Sequence, residues 1–523
     1  MATAATFDYI VIGSGFGGSV SAMRLAEKGY SVLVIEKGKR WQPDDFPKTN
    51  WNLRKYLWMP ALRFFGFQKL TFFKEVFVIS GVGVGGGSLV YANTHMMPKP
   101  SFYQNNIWSH FKDWKSVLAP YFDRAKYMLG TVTFPKDYEE DRILAEVAAD
   151  MGHAASYQPV DGVGVYFGDP NKETDPYFGG KGPLRKGCTE CAGCMVGCRH
   201  GAKNTLDKNY LWFAEQYGAT ILAETLVEKI RFTNGEYLIE TISATAFGTK
   251  NAQTFRCKGL VVSGGVLGTM DLLLKQKHLY NTLPELSDKL GQNILTNSEM
   301  LSGVMAADRK LNHGVAISRV FSPDENTNIE ICKFPDGSDA MTRLGIMAAG
   351  NGSPIVRTAK SIGNIIRHPW KFLRATISTN QASRGVIFLI MQTLENAMTM
   401  RLKRGWFGSS LTIQNDSNQR VPTYIPIGQE ALYRYAEKVN GVPMNAFSEV
   451  FFNLASTAHI LGGCPMGATK NDGVVDEFFR VHGYPNMFIL DGSIMPCNLG
   501  VNPSLTITAL SEYAMDQIPS KTS

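Results

Sequence analysis

The sequence predicts an α/β fold built on a Rossmann-type nucleotide-binding unit, and the first 36 residues carry that prediction. The apolar residues 7–12 are predicted to form a buried strand that runs into the glycine-rich loop 13–18. A helix-periodic stretch follows, and a second apolar strand, residues 31–35, ends at Glu36. A strand, a Gly-x-Gly-x-x-Gly loop, a helix, a second strand and an acid in this order are typical of dinucleotide binding.

Each position of this motif has a physical role in holding a pyrophosphate. Gly13 permits the tight turn, Gly15 lets the backbone approach the phosphates, and Gly18 lets the helix pack close to the strand. The N-terminus of the helix offers N–H groups that have no partner inside the helix. Glu36, 23 positions after Gly13, is predicted to accept hydrogen bonds from the ribose hydroxyls. The motif alone does not distinguish FAD from NAD.

The composition excludes several classes of protein. The 523 residues are 44% hydrophobic and 19% charged, which rules out intrinsic disorder and favours a large enzyme. The formal net charge of +7 is small for this length and no nucleic-acid module is recognised, so no nucleic-acid partner is expected. The sequence has no apolar run long enough for a transmembrane helix, and residues 1–6 do not resemble a targeting signal. A cytoplasmic location is predicted.

A second glycine-rich stretch covers residues 81–93 and has five glycines in its first seven positions. So few side chains leave the backbone open to a planar or bulky group. Apolar residues on both sides argue against a solvent-exposed linker. The stretch is therefore predicted to lie against the cofactor.

The C-terminal part of the chain resembles a known family. It contains His459-Ile-Leu-Gly-Gly-Cys-Pro-Met-Gly467, then Asp491-Gly492-Ser at the end of an apolar run, then Gly500-Val-Asn502-Pro503-Ser. Together with the two glycine-rich stretches, these blocks resemble the glucose-methanol-choline (GMC) family of flavoprotein oxidoreductases, and most closely its bacterial cholesterol-oxidase-like branch. The resemblance extends over most of the chain.

The resemblance implies FAD as the cofactor and a chain that crosses four times between two domains. It implies a discontinuous Rossmann-type FAD-binding domain from residues 1–100, 186–300 and 441–523. Residues 101–185 and 301–440 then form an α+β substrate domain whose antiparallel sheet roofs the flavin, with 385–392 as one of its strands. The FAD-binding positions implied by the resemblance are Gly13, Gly15, Gly18, Glu36, Gly85, Gly86, Ser88, Asn93, Val227, Ser263, Gly264, Asp491, Gly492, Asn502 and Pro503.

The resemblance also implies an active-site pair, His459 and Asn502. Alcohol oxidation removes the hydroxyl proton while a hydride leaves the same carbon for flavin N5, and an imidazole is an efficient proton acceptor near neutral pH. We therefore expect oxidation of an apolar, sterol- or lipid-like alcohol. The sterol-oxidising branch also uses a glutamate to shift the sterol double bond. Residues 375–392, taken as the matching region, contain no acid, and Glu395 just beyond them is the candidate substitute.

Four cysteines, Cys188, Cys191, Cys194 and Cys198, follow the spacing of a bacterial ferredoxin run, with Arg199 in place of the usual proline. The spacing suits a [4Fe–4S] cluster. A tetrahedral zinc site, disulfides and free thiols are the alternatives. A single cluster requires Cys198 to turn back toward the other three.

A remote cysteine, Cys257 or Cys332, is the other candidate for the fourth ligand. An iron–sulfur cluster would connect the flavin to an external electron acceptor or donor. It would also suit an alternative function, that of a flavin and iron–sulfur ene dehydrogenase or reductase acting on a carbon–carbon bond of a steroid or terpenoid.

Two stretches, residues 39–76 and 357–404, combine many Lys and Arg side chains with aromatic ones. Such a segment can dock on anionic lipid and admit an apolar substrate. It can equally pack as an ordinary lid on its own domain. A peripheral membrane contact is therefore one of two open interpretations of these stretches.

Overall fold

The computed structural model describes residues 5–247, 251–377, 379–406, 408–415 and 420–522, and two large sheets organise this part of the chain. Residues 1–4 of the N-terminal segment considered for targeting lie outside the described residues. The first sheet contains, in spatial order, Thr220–Leu222, Val32–Ile35, Ala5–Ile12, Gln253–Val262, Glu236–Ser243 and Thr225–Thr233, with Met487–Ile489 also paired to Gln253–Val262.

The centre of this first sheet is parallel. Ala5–Ile12 pairs in parallel with both Val32–Ile35 and Gln253–Val262. Val32–Ile35 is buried throughout, as expected for a parallel strand covered on both faces. The helix Phe16–Glu27 leaves the carboxyl end of Ala5–Ile12, where ligands bind in doubly wound α/β folds. The predicted Rossmann-type unit is confirmed.

The second sheet is antiparallel. Its spatial order is Gly345–Met347, Val442–Ala446, Met300–Met305, Gly385–Gln392, Thr327–Cys332, Arg319–Phe321 and Gln158–Pro159. The strand predicted over 385–392 is confirmed and lies at the centre of this sheet. Smaller sheets pair Val76–Gly81 with Gln68–Phe72 and Ala455–Thr457, Met398–Gly405 with Gly408–Asn415, and Trp58–Met59 with Phe64–Phe65.

The predicted segment boundaries need two corrections. Val442–Ala446 belongs to the antiparallel sheet, although the sequence placed it in the last FAD-binding segment. The helix Trp114–Met128, placed in the substrate domain, packs against the C-terminal helix Ser504–Asp516, with the rings of Trp114 and Tyr513 5.6 Å apart. Both differences from the predicted boundaries arise because the chain crosses between the two sheets at points that the amino-acid composition does not reveal.

Helices cover the sheets and connect them. The described α-helices are Phe16–Glu27, Leu53–Tyr56, Pro100–Gln104, Trp114–Met128, Glu139–Asp150, Tyr210–Gln216, Gly265–His278, Pro354–Arg367, Pro369–Ile377, Gln381–Arg384, Pro426–Lys438, Phe447–Phe452 and Ser504–Asp516. Short 3₁₀ turns occur at Pro43–Asp45, Pro60–Leu62, Gly86–Leu89, Ala154–Ser156, Cys194–Val196, Leu206–Lys208, Thr342–Leu344 and Gly492–Ile494. Within the described ranges, no helix is both long and apolar enough to cross a bilayer.

Candidate active site

A cavity of about 400 Å³, the main cavity, lies between the two large sheets. One wall is formed by the loops at the carboxyl ends of Ala5–Ile12 and Gln253–Val262. The opposite wall is formed by Met300–Met305 and Gly385–Gln392 of the antiparallel sheet. The sheet therefore roofs the loops that carry the predicted dinucleotide motif.

Half of the predicted FAD-binding and catalytic residues line the main cavity. Those that line it are Gly15, Ser263, Gly264, His459, Asp491, Gly492, Asn502 and Pro503. Those that do not are Gly13, Gly18, Glu36, Gly85, Gly86, Ser88 and Asn93, which pack behind the lining, and Val227, which lies farther away. Segments from both ends and the middle of the chain thus meet in one place.

Three long helices begin at this cavity. They are Phe16–Glu27, Gly265–His278 and Ser504–Asp516, whose N-cap residues Gly15, Gly264 and Pro503 all line the cavity. None of these three N-cap residues supplies a side-chain cap. The first N–H groups of Phe16–Glu27 and Ser504–Asp516 therefore remain available to the phosphate oxygens or ring acceptors of a ligand, whereas that of Gly265 donates to Asp491. This donor set fits FAD.

The first glycine loop packs at distances that only glycine allows. A Cβ on Gly18 would lie 2.1 Å from the carbonyl oxygen of Gly13, and one on Gly13 would lie 2.2 Å from that of Ser263. A Cβ on Gly15, by contrast, would meet no atom within 4 Å. Gly13 and Gly18 therefore set the packing of strand and helix, whereas the space at Gly15 is open to a ligand.

The second glycine-rich stretch rests on the first. A Cβ on Gly86 would lie 2.6 Å from the Cα of Gly15, and Gly85 N–H donates to Ser14 Oγ at 3.1 Å. Ser88 Oγ accepts from Leu206 N–H at 3.1 Å. Asn93 is fully buried, and neither of its side-chain polar atoms has a partner among the described residues. A buried amide without partners between cavity-lining neighbours is consistent with a bound ligand.

Glu36 has a different environment from the one predicted. Its carboxylate accepts from Ser14 N–H and Oγ–H at 3.2 and 2.8 Å, from Gly38 N–H at 2.9 Å and from Gly83 N–H at 3.3 Å. These donors use all of its roughly four acceptor sites. Glu36 therefore ties the two glycine-rich stretches together, and its ribose contact stays a prediction. Val227 is buried in the strand Thr225–Thr233, away from the main cavity.

Asp491 lies at the end of the strand Met487–Ile489, where its carboxylate is held by neighbours. Thr269 Oγ donates to it at 2.5 Å and Ser493 N–H at 2.8 Å. Burial raises the pKa of Asp491. Asp491 therefore brings a buried carboxyl group with a raised pKa into the predicted cofactor site.

His459 follows the short strand Ala455–Thr457 and faces the main cavity with only 14% of its side chain exposed. Its Nδ1 makes a short hydrogen bond with Oε1 of Glu299, which is fully buried. The other oxygen of Glu299 accepts from Ala458 N–H at 2.8 Å. One carboxylate therefore holds both the ring of His459 and the loop that carries it.

Glu330 is a second buried carboxyl group near the active-site pair. It projects from Thr327–Cys332, and burial, followed by the charges of Glu299 and Asp161, raises its pKa to about 8. The amide of Asn502 lowers that pKa in part. Within the described residues, neither oxygen of Glu330 receives a hydrogen bond of ordinary geometry, and Oδ1 of Asn502 likewise has no partner.

Neither glutamate was found by sequence reasoning. Glu330 had a usable signal, because an acid inside a six-residue stretch that is otherwise apolar or uncharged is rarely buried without a purpose. Glu299 had none, since it lies 160 positions from His459. The candidate Glu395 is exposed, bonded only weakly to Asn105 at 3.3 Å, and does not line the main cavity. The strand Thr327–Cys332, which pairs with Gly385–Gln392, places a different acid, Glu330, near Asn502.

A second cavity of about 150 Å³, the thiol cavity, is lined by Cys188, Cys191, Cys194 and Cys198. All eight cysteines of the chain are free thiols. Cys198 does turn back to join the other three. The ammonium group of buried Lys203 closes one side, donating to the carbonyl oxygen of Cys194 at 2.7 Å.

The remote cysteines do not complete this set. Cys332 lines the main cavity and Cys257 is buried in the strand Gln253–Val262. Among the residues that the structure describes, no three His, Cys, Asp or Glu side chains converge closely enough to hold a single metal ion. Within the described chain, the four cysteines of the run Cys188–Cys198 therefore line a cavity and do not converge on a single-ion position.

The fold has counterparts among solved structures. Pyridoxine 4-oxidase from Mesorbium loti matches with a TM-score of 0.62 at 16% identity, and formate oxidase from Aspergillus oryzae RIB40 with 0.63 at 15% identity. Each match covers 98% of both chains. At these identities the likeness establishes the fold alone.

Sequence comparison establishes the family. Residues 185–295 and 405–511 match models described as GMC oxidoreductase, and residues 11–41 match an NAD(P)-binding Rossmann-like domain. The chain is 40% identical to a cholesterol oxidase of Acinetobacter baumannii, over 98% of this chain and 95% of that protein. It is 41% identical to a cholesterol oxidase of Mycobacterium tuberculosis, over 98% and 91%. The chain therefore belongs to the GMC oxidoreductase family, in its cholesterol-oxidase-like branch, and is an FAD-dependent alcohol oxidoreductase.

Proposed function

We propose that this enzyme oxidises the hydroxyl-bearing carbon of a sterol-like alcohol, with His459 as the proton acceptor and Asn502 as the group that orients the alcohol oxygen. The contact between His459 and buried Glu299 at the wall of an apolar cavity carries this proposal. FAD, when bound, supplies the acceptor for the hydride. The family's preference for alcohols favours this reaction over the alternative at a carbon–carbon bond.

The pair His459 and Glu299 explains how the proton is taken. A carboxylate only accepts hydrogen bonds, so Nδ1 of His459 carries the ring hydrogen and Nε2 keeps its lone pair. Nε2 can then accept the hydroxyl proton as the hydride leaves. The imidazolium that results is stabilised by the buried carboxylate beside it.

The substrate class follows from the rest of the cavity wall. Beyond the polar residues around His459, apolar side chains line the space, among them Phe77, Ile79, Leu301, Val304, Ile387 and Met444. Such a wall favours an extended hydrocarbon over a small polar alcohol, because burial of apolar surface contributes about 25 cal/mol per Å².

Anaerobic flavin bleaching tests this proposal. FAD-loaded enzyme is mixed with a 3-hydroxysterol, a long-chain primary alcohol or a short alcohol, and the absorbance of the oxidised flavin is followed. The sterol is expected to bleach the flavin, and the short alcohol at equal concentration to leave it oxidised. Bleaching by the short alcohol alone, or by none of the three, would contradict the proposal.

We further propose that Glu330 shifts a double bond adjacent to the new carbonyl group. A carboxyl group whose pKa is raised to about 8 can both take up and return a proton near neutral pH. Its position beside Asn502 supports a location close to the oxidised carbon. With a 3-hydroxysterol that has a neighbouring double bond, the Glu330→Gln variant is expected to release the unshifted ketone. Equal amounts of shifted ketone from both proteins would exclude this role.

We propose that the exposed face of the helices Pro354–Arg367 and Pro369–Ile377, the lid-helix surface, docks on an anionic lipid bilayer. Its apolar side chains include Ile355 and Trp370, each 81% exposed, and Ile366, 71% exposed. Exposed basic side chains lie among them: Lys360, Arg367, Lys371 and Arg374. Apolar and basic side chains together match the acyl boundary and the anionic headgroups.

The lid-helix surface is close to the main cavity and to the other basic and aromatic stretch. The inner face of Pro369–Ile377 contributes Ala375 to a cluster with Met305 and Met444, both of which line the cavity. Arg343 lies 5.7 Å from the ring of Trp51 and donates to the carbonyl oxygen of Thr376 at 3.4 Å. An apolar substrate taken from a bilayer would thus enter next to the site.

Co-sedimentation with vesicles tests this surface. The protein is expected to bind vesicles that contain anionic lipid at low salt, and the double variant Ile366→Ser and Trp370→Ser to lose that binding. Trp406→Ser is the control, because Trp406 is fully exposed in a hairpin that packs on the helix Gly265–His278. Equal binding by the double variant and the control would rule the surface out.

A further inference from the structure

We propose that the thiol cavity binds a cubane-type [4Fe–4S] cluster through Cys188, Cys191, Cys194 and Cys198. All four side chains line one cavity of about 150 Å³. Four thiolates are the usual ligand set of such a cluster. The fold thus resolves the difficulty that the sequence posed, because the fourth cysteine of the run completes the same site and no second run is needed.

The backbone of the segment is bent around the cavity. Glu190 and Ala192 adopt left-handed conformations, with φ of 58° and 53°, which are uncommon for residues other than glycine. Two N–H groups donate to cysteine sulfurs, that of Glu190 to Cys188 at 3.3 Å and that of Lys203 to Cys198 at 3.4 Å. Strained backbone persists at functional sites, and N–H donors to sulfur are a recurrent feature of iron–sulfur centres.

The size of the cavity distinguishes a cluster from zinc. A zinc ion holds four sulfurs at about 2.3 Å, so that its ligands close around it and leave no cavity. The four cysteines line an open space of about 150 Å³ instead. No three ligand side chains converge on a single-ion position in the described chain. A polynuclear group is therefore the better match.

The charge of the lining points to an anionic occupant. Lys48, Arg199 and Lys203 line the thiol cavity, and none of the described lining residues is Asp or Glu. The Lys203 side chain is buried, and its Nζ donates to the carbonyl oxygen of Cys194 at 2.7 Å. A cluster bound by four thiolates carries a net negative charge, which these cations would stabilise.

The thiol cavity and the main cavity share a thin wall. Cys194 lines the thiol cavity and its neighbour Met195 lines the main one. Likewise, Pro335 lines the thiol cavity and its neighbour Phe334 lines the main one. The two cavities are therefore adjacent along these two stretches of chain.

This position assigns the cluster a place in the reaction, a step that rests on the proposed function. Each alcohol oxidised would give its hydride, which carries two electrons and one proton, to the flavin and its hydroxyl proton to His459. A cluster held by the four cysteines would supply a one-electron path from the reduced flavin to an external acceptor, such as a soluble redox protein or ferricyanide, and the flavin's proton would leave to solvent. Two acceptor molecules are reduced for each ketone formed.

Metal analysis of anaerobically isolated, FAD-containing full-length protein tests the site. We expect about four iron atoms and four acid-labile sulfides per chain, with a low-temperature EPR signal after reduction by dithionite. One zinc atom without sulfide, or no metal even after anaerobic reconstitution with iron and sulfide, would overturn the proposal.

Two cysteine variants make the test specific. Cys191→Ser, at an exposed position that tolerates substitution, is expected to lose most of its iron and sulfide while it retains FAD. Cys257→Ser, outside both cavities, is the matched control and is expected to keep the full iron content. Iron content unchanged in Cys191→Ser would overturn the assignment of ligands.

A separate measurement tests the relay. A 3-hydroxysterol is added anaerobically, and flavin absorbance and the cluster's EPR signal are recorded together. Appearance of the reduced-cluster signal supports the relay. A bleached flavin with an oxidised cluster overturns the relay and leaves the binding site intact, whereas an unbleached flavin counts against the proposed function instead.

Discussion

Two buried glutamates flank the candidate active site, and their surroundings differ. Glu299 accepts hydrogen bonds from His459 and from the N–H of Ala458, so both of its oxygens are engaged. Glu330 lies two strands away in the same antiparallel sheet that Met300–Met305, directly after Glu299, belongs to. It has no hydrogen bond of ordinary geometry within the described residues, and its pKa is raised to about 8. The first is held by two hydrogen-bond partners, whereas burial favours the protonated form of the second.

The difference shows how one fold separates two kinds of acid and base chemistry. Burial alone disfavours the charged form of a carboxyl group, and hydrogen bonds to the charged form favour it. Glu299 receives such donors from the loop 458–459, whereas the strand that carries Glu330 offers none. Pairs of carboxyl groups with divergent environments commonly have distinct catalytic roles.

Replacing His459, the hydrogen-bond partner of Glu299, should have the largest effect on activity. His459→Ala deletes the proton acceptor, and general base catalysis is typically worth about 10²- to 10⁴-fold. We expect kcat to fall by that factor while the flavin absorbance of the purified protein stays unchanged. His110→Ala, in an exposed position, is the control. A fall of less than threefold would remove His459 from the role of base.

Removing the charge of Glu299 should have a smaller effect. Glu299→Gln keeps the shape but loses a hydrogen bond to a charged group, worth about 1.5–3 kcal/mol, which corresponds to a roughly 10- to 100-fold lower kcat. Because Glu299 acts through His459, KM should change little. If steady-state kinetics show a change in KM alone, Glu299 serves substrate binding rather than the base.

Glu330→Gln should have the smallest effect on oxidation and a clear effect on stability. A pKa raised from 4.5 to about 8 means that the folded state holds the proton more tightly. This contribution to stability is fully present below about pH 4.5 and is lost as the pH rises through about 8. Urea unfolding between pH 5 and 9 should therefore show that the free energy of unfolding falls less with rising pH in Glu330→Gln than in the unsubstituted protein.

Glu449 provides a matched control for this comparison. It is also fully buried, with its pKa raised to about 8 by burial, but it bonds to the N–H of Leu301 rather than facing Asn502. Glu449→Gln should weaken the pH dependence of stability in the same direction and leave the ratio of shifted to unshifted ketone unchanged. A changed ratio in this variant would show that the effect of Glu330 is not local.

The local motifs of this protein could be predicted because their geometry is set over short stretches of chain. The loop Gly13 to Gly18 has one sterically allowed arrangement between its strand and helix, and a Cβ at either end would clash with backbone. The run from Cys188 to Cys198 is likewise short enough for its spacing to bring the thiols together.

Long-range relations could not be predicted in the same way. The carboxylate of Glu36, whose ribose contact stays a prediction, accepts hydrogen bonds from Ser14 and from the N–H groups of Gly38 and Gly83. Residues 375–392 contain no acid, and the register across the antiparallel sheet sets Glu330 of Thr327–Cys332 opposite Leu389. A hydrophobic pattern predicts that a segment forms a strand, but it does not predict which strand lies beside it in the sheet.

The sequence by itself determined the Rossmann-type start of the fold, the position of His459 and Asn502, and the presence of four closely spaced thiols. The tertiary structure decided which carboxylate holds His459, which one keeps a proton, and that the four thiols surround a single cavity beside the main one. The physical reason is that protonation state and ligand geometry depend on burial and on charges from distant segments, and only the folded chain brings those segments together.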